Sequence, residues 1–577
     1  MSSGFNSLDP DSFDFFVTFS GKTPCCSSDI NLCSCNSSLD PMPNSSPSLP
    51  WQGSSSPLPA SINSPIKIPV LSEILSLDPD RQRALYLREG FTVGFRIGFV
   101  GDVVQTRPKN LRSARLCPHG VRTAIQTEIR RGHTSGPFPY PPFPVTHISP
   151  LGAVPKPDGT VCLILDLSSP RGCSINEGIS KEDYSVEYIK FDDALSLVRE
   201  AGRGCSMAKI DIRHAFRIMP VHPDDWHKLC FFLDGYFFVD TRLSFGSRSS
   251  PHIFNTFARF VAWFLSAIIG IALLTHYLDD YFIVAPSQAE CRRDMNKMLS
   301  TCDRLGVPIN FDKVFGPLST LTFLGIEIDS NRMICRLPQD KLLDIKHLLS
   351  LWLSKKSCRK RDLLSLIGKL AFACKVVKPG RFFLRRLINL SMTVPHLDYF
   401  ISISSQARED IKWWHQFISE WNGVSFIPDS GNKVKLFTFA SSIGFGGFLR
   451  EHLFSLPLPI SHQDLHIYIK ELLAEMAAIF TWAKLLENKN VVLFSDNLDI
   501  VQIWTSGYTT NSQMMKLIRI LFLFCARRNT HLSLRHIYGF KNCKADALSR
   551  LNISLFKQLH PTAEEEPSQV PTTTWEL

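Results

Sequence analysis

The sequence predicts a multidomain protein of mixed α/β and α+β class with disordered ends. Three observations carry this. The chain has 577 residues, well beyond what one core organises, so roughly three or four domains are expected. Hydrophobic residues make up 44% and include 42 Phe, which is enough to build those cores. The patterning also changes along the chain. Short β-rich runs alternate with helix-length segments over 145–330 and again over 431–552, a mostly helical stretch lies between them, and Ser, Pro and Asn dominate the start.

Residues 1–65 hold stretches such as "SSPSLPWQGSSSPLPASINSP", which bury too little surface to offset ordering entropy, so disorder is expected there. Cys25, Cys26, Cys33 and Cys35 fall in this region with irregular spacing and no nearby His, so no zinc site is expected. Residues 66–144 read as a helical lead-in that closes on "GPFPYPPFP" (136–144), whose prolines force an extended path. The longest apolar run, "FVAWFLSAIIGIALL" (260–274), is shorter than the ~20 residues of a bilayer span. It reads as a buried helix leading into the strand that carries Tyr277, and no membrane segment is expected. Residues 331–430 are mostly helical, 431–552 form a second α/β unit, and 553–577 ("TAEEEPSQVPTTT") read as a disordered tail. No internal repeat is evident.

The net charge is +10, but residues 1–80 hold two Lys against eight acidic residues, so the basic character belongs to the rest of the chain. A basic body predicts a polyanionic partner, nucleic acid first. Sixteen Cys are scattered without a disulfide framework, and no charged start leads into an apolar run. The expected setting is intracellular, cytoplasm or nucleus, and not secreted.

In "CSMAKIDIRHAFRIMPVHP" (205–223), Asp211 ends a predicted strand and Phe216 follows five residues later. "HYLDDYFIV" (276–284) sets Asp279 and Asp280 side by side at a predicted hairpin bend. Taken alone these are ordinary turn aspartates. Two strand-end carboxylate sites on one sheet edge are equally what a pair of hard divalent cations needs.

Order and wording separate the two readings. "DIRHAF", then "LSFGSRSSPHIFNTF" (243–257), then "YLDD", then "LGVPINFDKVFGPLSTLTFLGIEID" (305–329) resembles the successive palm motifs of retroelement reverse transcriptases. Upstream, "SPLGAVPKPDGTVCLILDLSSPRGCSIN" (149–176) resembles their fingers, particularly those of DIRS-type retrotransposons. The resemblance spans about residues 110–552. It implies a right-hand polymerase, with fingers and palm over 145–330 and a thumb or connection over 331–430. Asp211, Asp279 and Asp280 match the catalytic aspartates, Asp211 and Asp279 holding two Mg2+ ions, with Mn2+ as the alternative. Phe216 matches the aromatic residue that crowds the sugar 2′ position, Lys156 a fingers lysine that meets the triphosphate, and Gly246 and Ser247 a loop close to primer or nucleotide. Lys355, Lys356, Arg359, Lys360, Arg361, Lys378 and Arg381, with Lys375, Arg385 and Arg386, fall where a thumb would grip duplex phosphates. The implied partners are an RNA template, a DNA primer, deoxynucleoside triphosphates and RNA–DNA hybrid. No recombinase or integrase constellation is evident, so integration would need a separate protein.

"IKELLAEMAAIFTWA" (469–483), "VVLFSDNLDIVQIW" (491–504) and "LRHIYGFKNCKADALSR" (534–550) resemble the ribonuclease H domain that follows such polymerases. Glu471, Asp496 and Asp546 match three of its four metal-binding carboxylates. Phe439, in "TFAS", stands where the family has the first aspartate, and a phenyl ring cannot coordinate a metal. A ribonuclease H fold with little or no nuclease activity is expected, unless Asp499 or another acid substitutes. In the fingers, Cys162 stands where the family has a triphosphate-binding arginine, and a thiol supplies no charged donor fork. "PDSG" (428–431) reads as a turn and not as a protease motif. Two functions remain open: an RNA-directed DNA polymerase, or a decayed element protein that binds RNA or RNA–DNA duplex without catalysis.

Overall fold

The computed structural model describes Trp51 and residues 56–156, 159–421, 424–427, 433–507, 509 and 511–574. They form two compact units, the first from the described residues up to 197 together with 206–318, the second from 198–205 together with 319 onward.

The first unit is organised on a four-stranded antiparallel sheet, order β7-β8-β4-β9, from β4 (Ser206–Asp211), β7 (Leu273–Tyr277), β8 (Asp280–Ala285) and β9 (Phe315–Leu318). The central strands β4 and β8 are buried along nearly their whole length, as "SMAKID" and "DYFIVA" predict. The helix Gln288–Leu305 packs on β4, β8 and β9. Its bounds are chemical: Ser287 Oγ accepts from Glu290 N (3.2 Å), and Gly306 takes the left-handed conformation (φ 77°) that ends it. The apolar run at 260–274 is the buried helix Ser250–Trp263, a single π turn (Phe264–Ile268) and then β7, as expected. Two smaller sheets complete this unit: β1 (Thr134–Phe138) beside the β5–β6 hairpin (Cys230–Leu233, Tyr236–Asp240), and the β2–β3 hairpin (Leu151–Pro155, Val161–Leu165).

The second unit contains an antiparallel sheet of order β10-β11-β12-β15 (Thr320–Phe323, Ile326–Asp329, Ile334–Arg336, Val424–Phe426). It also holds the helices Gln339–Leu353, Lys360–Ala373 and Ser405–Trp421, and the short pair β13–β14 (Ser357–Arg359, Phe400–Ser402). A five-stranded sheet follows, order β18-β17-β16-β19-β20 (β16 Lys433–Ala440, β17 Gly444–Leu449, β18 His452–Pro457, β19 Asn490–Ser495, β20 His531–His536). The first three strands are antiparallel, and β16–β19–β20 are parallel. The helix Ile467–Thr481 lies between β18 and β19 in the chain and buries Leu472, Leu473, Met476 and Ala477. Buried Asp410 accepts from Arg519 Nη1 (3.0 Å) and Arg386 Nη1 (3.3 Å), tying the helical stretch to the sheet domain. This bridge helps explain why no boundary falls at 430.

The mixed α/β and α+β class is the class observed, but three expectations differ in detail. Residues 66–144 are no separate lead-in: Leu71, Ile74, Leu87, Phe91, Phe95, Val121 and Ile125 enter the same core as the sheet strands. Residues 319–330 group with the second unit, not with the β7-β8-β4-β9 sheet. The tail from 553 is ordered through 574. It forms the helix Ile553–Leu559 with Phe556 fully buried, and Ser568 N donates to Leu453 O (2.7 Å). One apolar anchor and a return strand-edge bond outweigh its polar composition. The disorder expected for 1–65, and Cys25, Cys26, Cys33 and Cys35, fall largely or wholly outside the described residues, as does "PDSG". Among the described residues no helix is long and apolar enough to cross a membrane.

Candidate active site and nucleic-acid contacts

The β7–β8 hairpin closes through a two-residue turn, Leu278 and Asp279, with Tyr277 paired to Asp280. Leu278 takes φ 51°, a conformation that costs a side-chain-bearing residue about 1 kcal/mol or more and that hairpins normally give to Gly. The strained turn is tied to β4 by Ile212 N donating to Asp279 O (2.9 Å). In the same register Asp211 lies directly across from Asp280. All three predicted aspartates therefore meet at one end of the β4–β8 pair.

Each carboxylate has a different environment. Burial alone would raise Asp211, but Lys313 Nζ (2.9 Å) and Asn310 Nδ2 (3.0 Å) donate to its two oxygens and hold it below its ordinary value. Asp279 is pushed up to about 7 by burial and by the neighbouring charges of Asp280 and Asp211. Burial also raises Asp280, against the pull of Lys209, whose Nζ sits 3.0 Å from Oδ2. Lys209 is two residues before Asp211 on the same strand face and reaches Asp280 diagonally across the ladder. The other oxygen of Asp280, Oδ1, is buried without a hydrogen-bond partner. Lys209, Asn310 and Lys313 were not singled out from sequence, although "INFDK" and the Lys of "AKID" were the available signals. Among the described residues no three His, Cys, Asp or Glu side chains stand at metal-holding distances.

The neighbouring residues form the walls. Phe216 is buried in the 3₁₀ turn Ala215–Ile218, its ring 5.1 Å from Phe245 and 5.7 Å from Phe254. Gly246 has φ 116°, and a Cβ there would lie 2.0 Å from Leu165 O, so only glycine lets this loop approach β3. Ser247 is buried, its Oγ 3.0 Å from Ser249 Oγ. Asn176 clamps the loop: its Nδ2 donates to Gly246 O and Ser168 Oγ (both 2.8 Å), and its Oδ1 accepts from Arg248 N (2.8 Å). Lys156 is exposed where β2 ends, Lys156 N donating to Thr160 O (2.7 Å). Cys162 pairs with Val154 across the β2–β3 hairpin. Val154 shares strand parity with Lys156, so Cys162 belongs to the Lys156 face.

The predicted phosphate-gripping cations of the second unit are only partly at liberty. Arg361 forms a close ion pair with Asp398, Arg359 is 3.9 Å from the same carboxylate, and Lys360 Nζ donates to Val394 O (2.7 Å). Lys355 lies over Trp352 (4.6 Å) and Lys375 over Phe372 (5.8 Å), while Lys356 is exposed. The Lys378 side chain is not described. Arg381 lies in the 3₁₀ segment Lys378–Phe383, and Arg385 and Arg386 open the next helix.

In the five-stranded sheet, burial raises Glu471 to about 7, the adjacent Asp496 adding to this, and its carboxylate accepts a short hydrogen bond from Asn497 Nδ2. Burial also raises Asp496, with Asp546 contributing. Asp546 is paired with Arg550 Nε (2.9 and 3.1 Å). The parallel register pairs Phe437 with Phe494. Two residues further along each chain lie Phe439, the position expected to carry the first aspartate, and Asp496, at the same end of the β16–β19 pair. Phe439 packs with the buried cluster of Phe448, Leu548 and Phe556. Asp499 is exposed in the first turn of the helix Leu498–Ser506. The acid that electrostatics links to Glu471 and Asp496 is instead Glu475, one helical turn past Glu471, fully buried and pushed up to about 8 by burial and by those two charges, against the pull of Ser495.

Residues 160–328 match the family model "Reverse transcriptase (RNA-dependent DNA polymerase)". This match covers β3, β4 and the β7–β8 turn, and so Asp211, Asp279 and Asp280. The chain is also similar to the Tf2-3 and Tf2-4 transposon polyproteins of Schizosaccharomyces pombe, 21% identical over 461 residues, which is 75% of this chain and 31% of each relative. It thus spans about a third of the length of these curated relatives. Among solved structures it is similar to the foamy viral protease-reverse transcriptase dRH in complex with double-stranded DNA (16% identity, 83% of each chain, TM-score 0.46). The foamy viral protease-reverse transcriptase in complex with RNA/DNA hybrid is a further likeness (16% identity, 81% of this chain and 62% of that one, TM-score 0.44).

Proposed function

We propose that this protein is an RNA-directed DNA polymerase of a retroelement, of the DIRS type its fingers wording resembles, extending a DNA primer on an RNA template from deoxynucleoside triphosphates. The observation that carries the reading is the convergence of Asp211, Asp279 and Asp280 on a strained turn locked to β4. The donor set suits hard divalent cations: all its ligating atoms are carboxylate oxygens, their charges repel one another, and Asp280 Oδ1 is buried and unpartnered. Asp211 and Asp279 would hold two Mg2+ ions, or Mn2+, which when bound supply activation of the primer 3′-hydroxyl and charge neutralisation on the departing pyrophosphate. Lys313 holds Asp211 in its ionised form, and Lys209 pairs with Asp280 and fixes its place. Phe216, wedged between Phe245 and Phe254, gives the rigid wall that excludes a ribose 2′-hydroxyl. Lys156 supplies a cation for the triphosphate, and the loop at Gly246 and Ser247 presents close backbone to the primer end.

The second domain is read as a ribonuclease H-like platform for RNA–DNA hybrid. Glu471, Asp496 and Asp546 are its metal-binding carboxylates, and hydrolysis is disabled by Phe439. A second reading, a protein that binds such duplexes without synthesis, is favoured by Phe439 and Cys162.

Primer extension by the purified protein on an RNA template with Mg2+ separates the two. The polymerase reading expects extension that Asp279→Ala abolishes and Cys162→Arg raises roughly 10- to 100-fold through an added charged clamp. Cys162→Arg without any extension, in protein that still binds primer–template, would sink it.

A further inference from the structure

Beside the carboxylates of the second domain runs a short strip that the polymerase reading does not use. From the last two residues of β20 toward the helix Cys543–Ser549, the segment Arg535–Lys541 is exposed except at the half-buried Ile537. Tyr538 is 60% exposed and Phe540 77%. Their rings stack on each other, centroids 5.7 Å apart and planes 20° from parallel, and His536 meets Tyr538 edge-on at 5.2 Å. Lys541 Nζ lies 5.9 Å and 5.7 Å from the two ring centres.

The rings are not held outward by a mobile loop. Ile537 N donates to Ser495 O (2.9 Å), Lys541 N to Tyr538 O (2.8 Å) and Asn542 N to Gly539 O (2.9 Å). The buried Asn542 amide donates to Thr438 O (2.9 Å), pinning the segment to β16. Two large exposed aromatics fixed in this way gain nothing from the core, so their exposure asks for an external partner. The charges around them select its class. Arg535 and Lys541 flank the rings, and the nearby Asp546 is offset by Arg550. Flat rings between cations match bases and phosphates: stacking is worth ~1–3 kcal/mol per base and tolerates any sequence.

We propose that Arg535–Lys541 is a stacking platform for unpaired nucleotides of a single nucleic-acid strand. Tyr538 and Phe540 take the bases, and Lys541 and Arg535 the adjoining phosphates. The strip passes Asp496, whose Oδ2 would lie 3.7 Å from a Cβ on Gly539. A strand held here therefore runs alongside the carboxylates that Phe439 leaves incomplete. The platform needs neither hydrolysis nor polymerisation and stands independently of the proposed polymerase.

The full chain is irradiated with oligodeoxyuridine or oligouridine 12-mers carrying 5-iodouracil and digested with trypsin, and adducts are located by mass spectrometry. Cleavage after Arg535 and Lys541 isolates both rings on one peptide, His536–Lys541. The proposal expects an adduct on that peptide from the DNA or the RNA strand, the arm that labels it more strongly naming the preferred sugar. Tyr538→Ala with Phe540→Ala should remove that adduct and weaken strand binding about 10-fold or more, while the binding of an abasic 12-mer and the thermal melt stay unchanged. Adducts elsewhere but none on this peptide would overturn it and leave the rings to a protein partner, as would an equal loss for the abasic strand. The adduct is expected to persist in Asp279→Ala, so failure of primer extension and failure of the platform are separate results.

Discussion

Glu475 shows what a single side chain can reveal about a site. Its carboxyl lies within apolar helix neighbours and under the fields of Glu471 and Asp496, and burial first, then those two charges, raise it to about 8. Because the folded value lies above the ordinary carboxylate range, the native state keeps a proton that the unfolded chain releases. Stability therefore falls as pH rises from about 4.5 to about 8, in the direction opposite to a salt-bridged acid. Glu475→Gln keeps the shape and removes the charge, so it should raise the melting temperature at pH 8, by ~1–3 kcal/mol of stability, and leave it almost unchanged at pH 5. Equal pH dependence in the two proteins would show that Glu475 is ionised in the fold. The sequence carried a signal for this residue, the second acid of "ELLAEMAAIF" at helical spacing from Glu471, but spacing alone does not say which face is dry. Asp211, Asp279 and Asp280 were legible because motif order identifies them. Lys209 and Lys313 were not: the Lys209–Asp280 pair depends on strand register, and Lys313 reaches Asp211 from a 3₁₀ turn 102 residues away.

At the scale of elements, the site depends on a loop held by a distant hairpin. Leu165 N donates to Phe245 O (3.0 Å), Gly246 is pressed against Leu165, and Asn176 bonds to both sides of the turn. Gly246 could be read from its motif, whereas Asn176 lies 70 residues away and nothing in the sequence connects them. Asn176→Ala removes three hydrogen bonds and leaves the half-buried Gly246 carbonyl without this donor, a cost of ~2–3 kcal/mol. On the proposed polymerase reading the loop shapes the site without supplying its carboxylates, so the expected result is a raised KM for deoxynucleotides with a smaller fall in kcat. A fall in kcat at unchanged KM would instead give Asn176 a part in the chemical step. Register likewise sets Cys162 across from Val154 in the β2–β3 hairpin, on the Lys156 face.

At the scale of the whole molecule, recognisable motifs and folding units do not coincide. The Pro-rich stretch 136–144 made residue 145 look like the start of a domain, because the alternation of β-rich runs and helix-length segments begins after it. Amphipathic stretches such as "IPVLSEIL" identify helices without naming what they pack on. In the structure, Leu71, Ile74, Leu75, Leu87, Phe91, Phe95, Ile97, Val121 and Ile125 are each at most 3% exposed and share one core with Ile210, Phe254 and Tyr281. Each such side chain contributes ~1.5–3 kcal/mol of burial. Losing all nine, about 14–27 kcal/mol, equals or exceeds the ~5–15 kcal/mol net stability of a typical domain. A chain starting at residue 145 should therefore fail to give a soluble protein with a cooperative melt, although every predicted catalytic residue is retained. Starting at residue 56 keeps these helices and should preserve both melt and activity. Primer extension by the shorter chain would show that the sheet and its own helices suffice, and that the core contributed by residues 66–144 is dispensable.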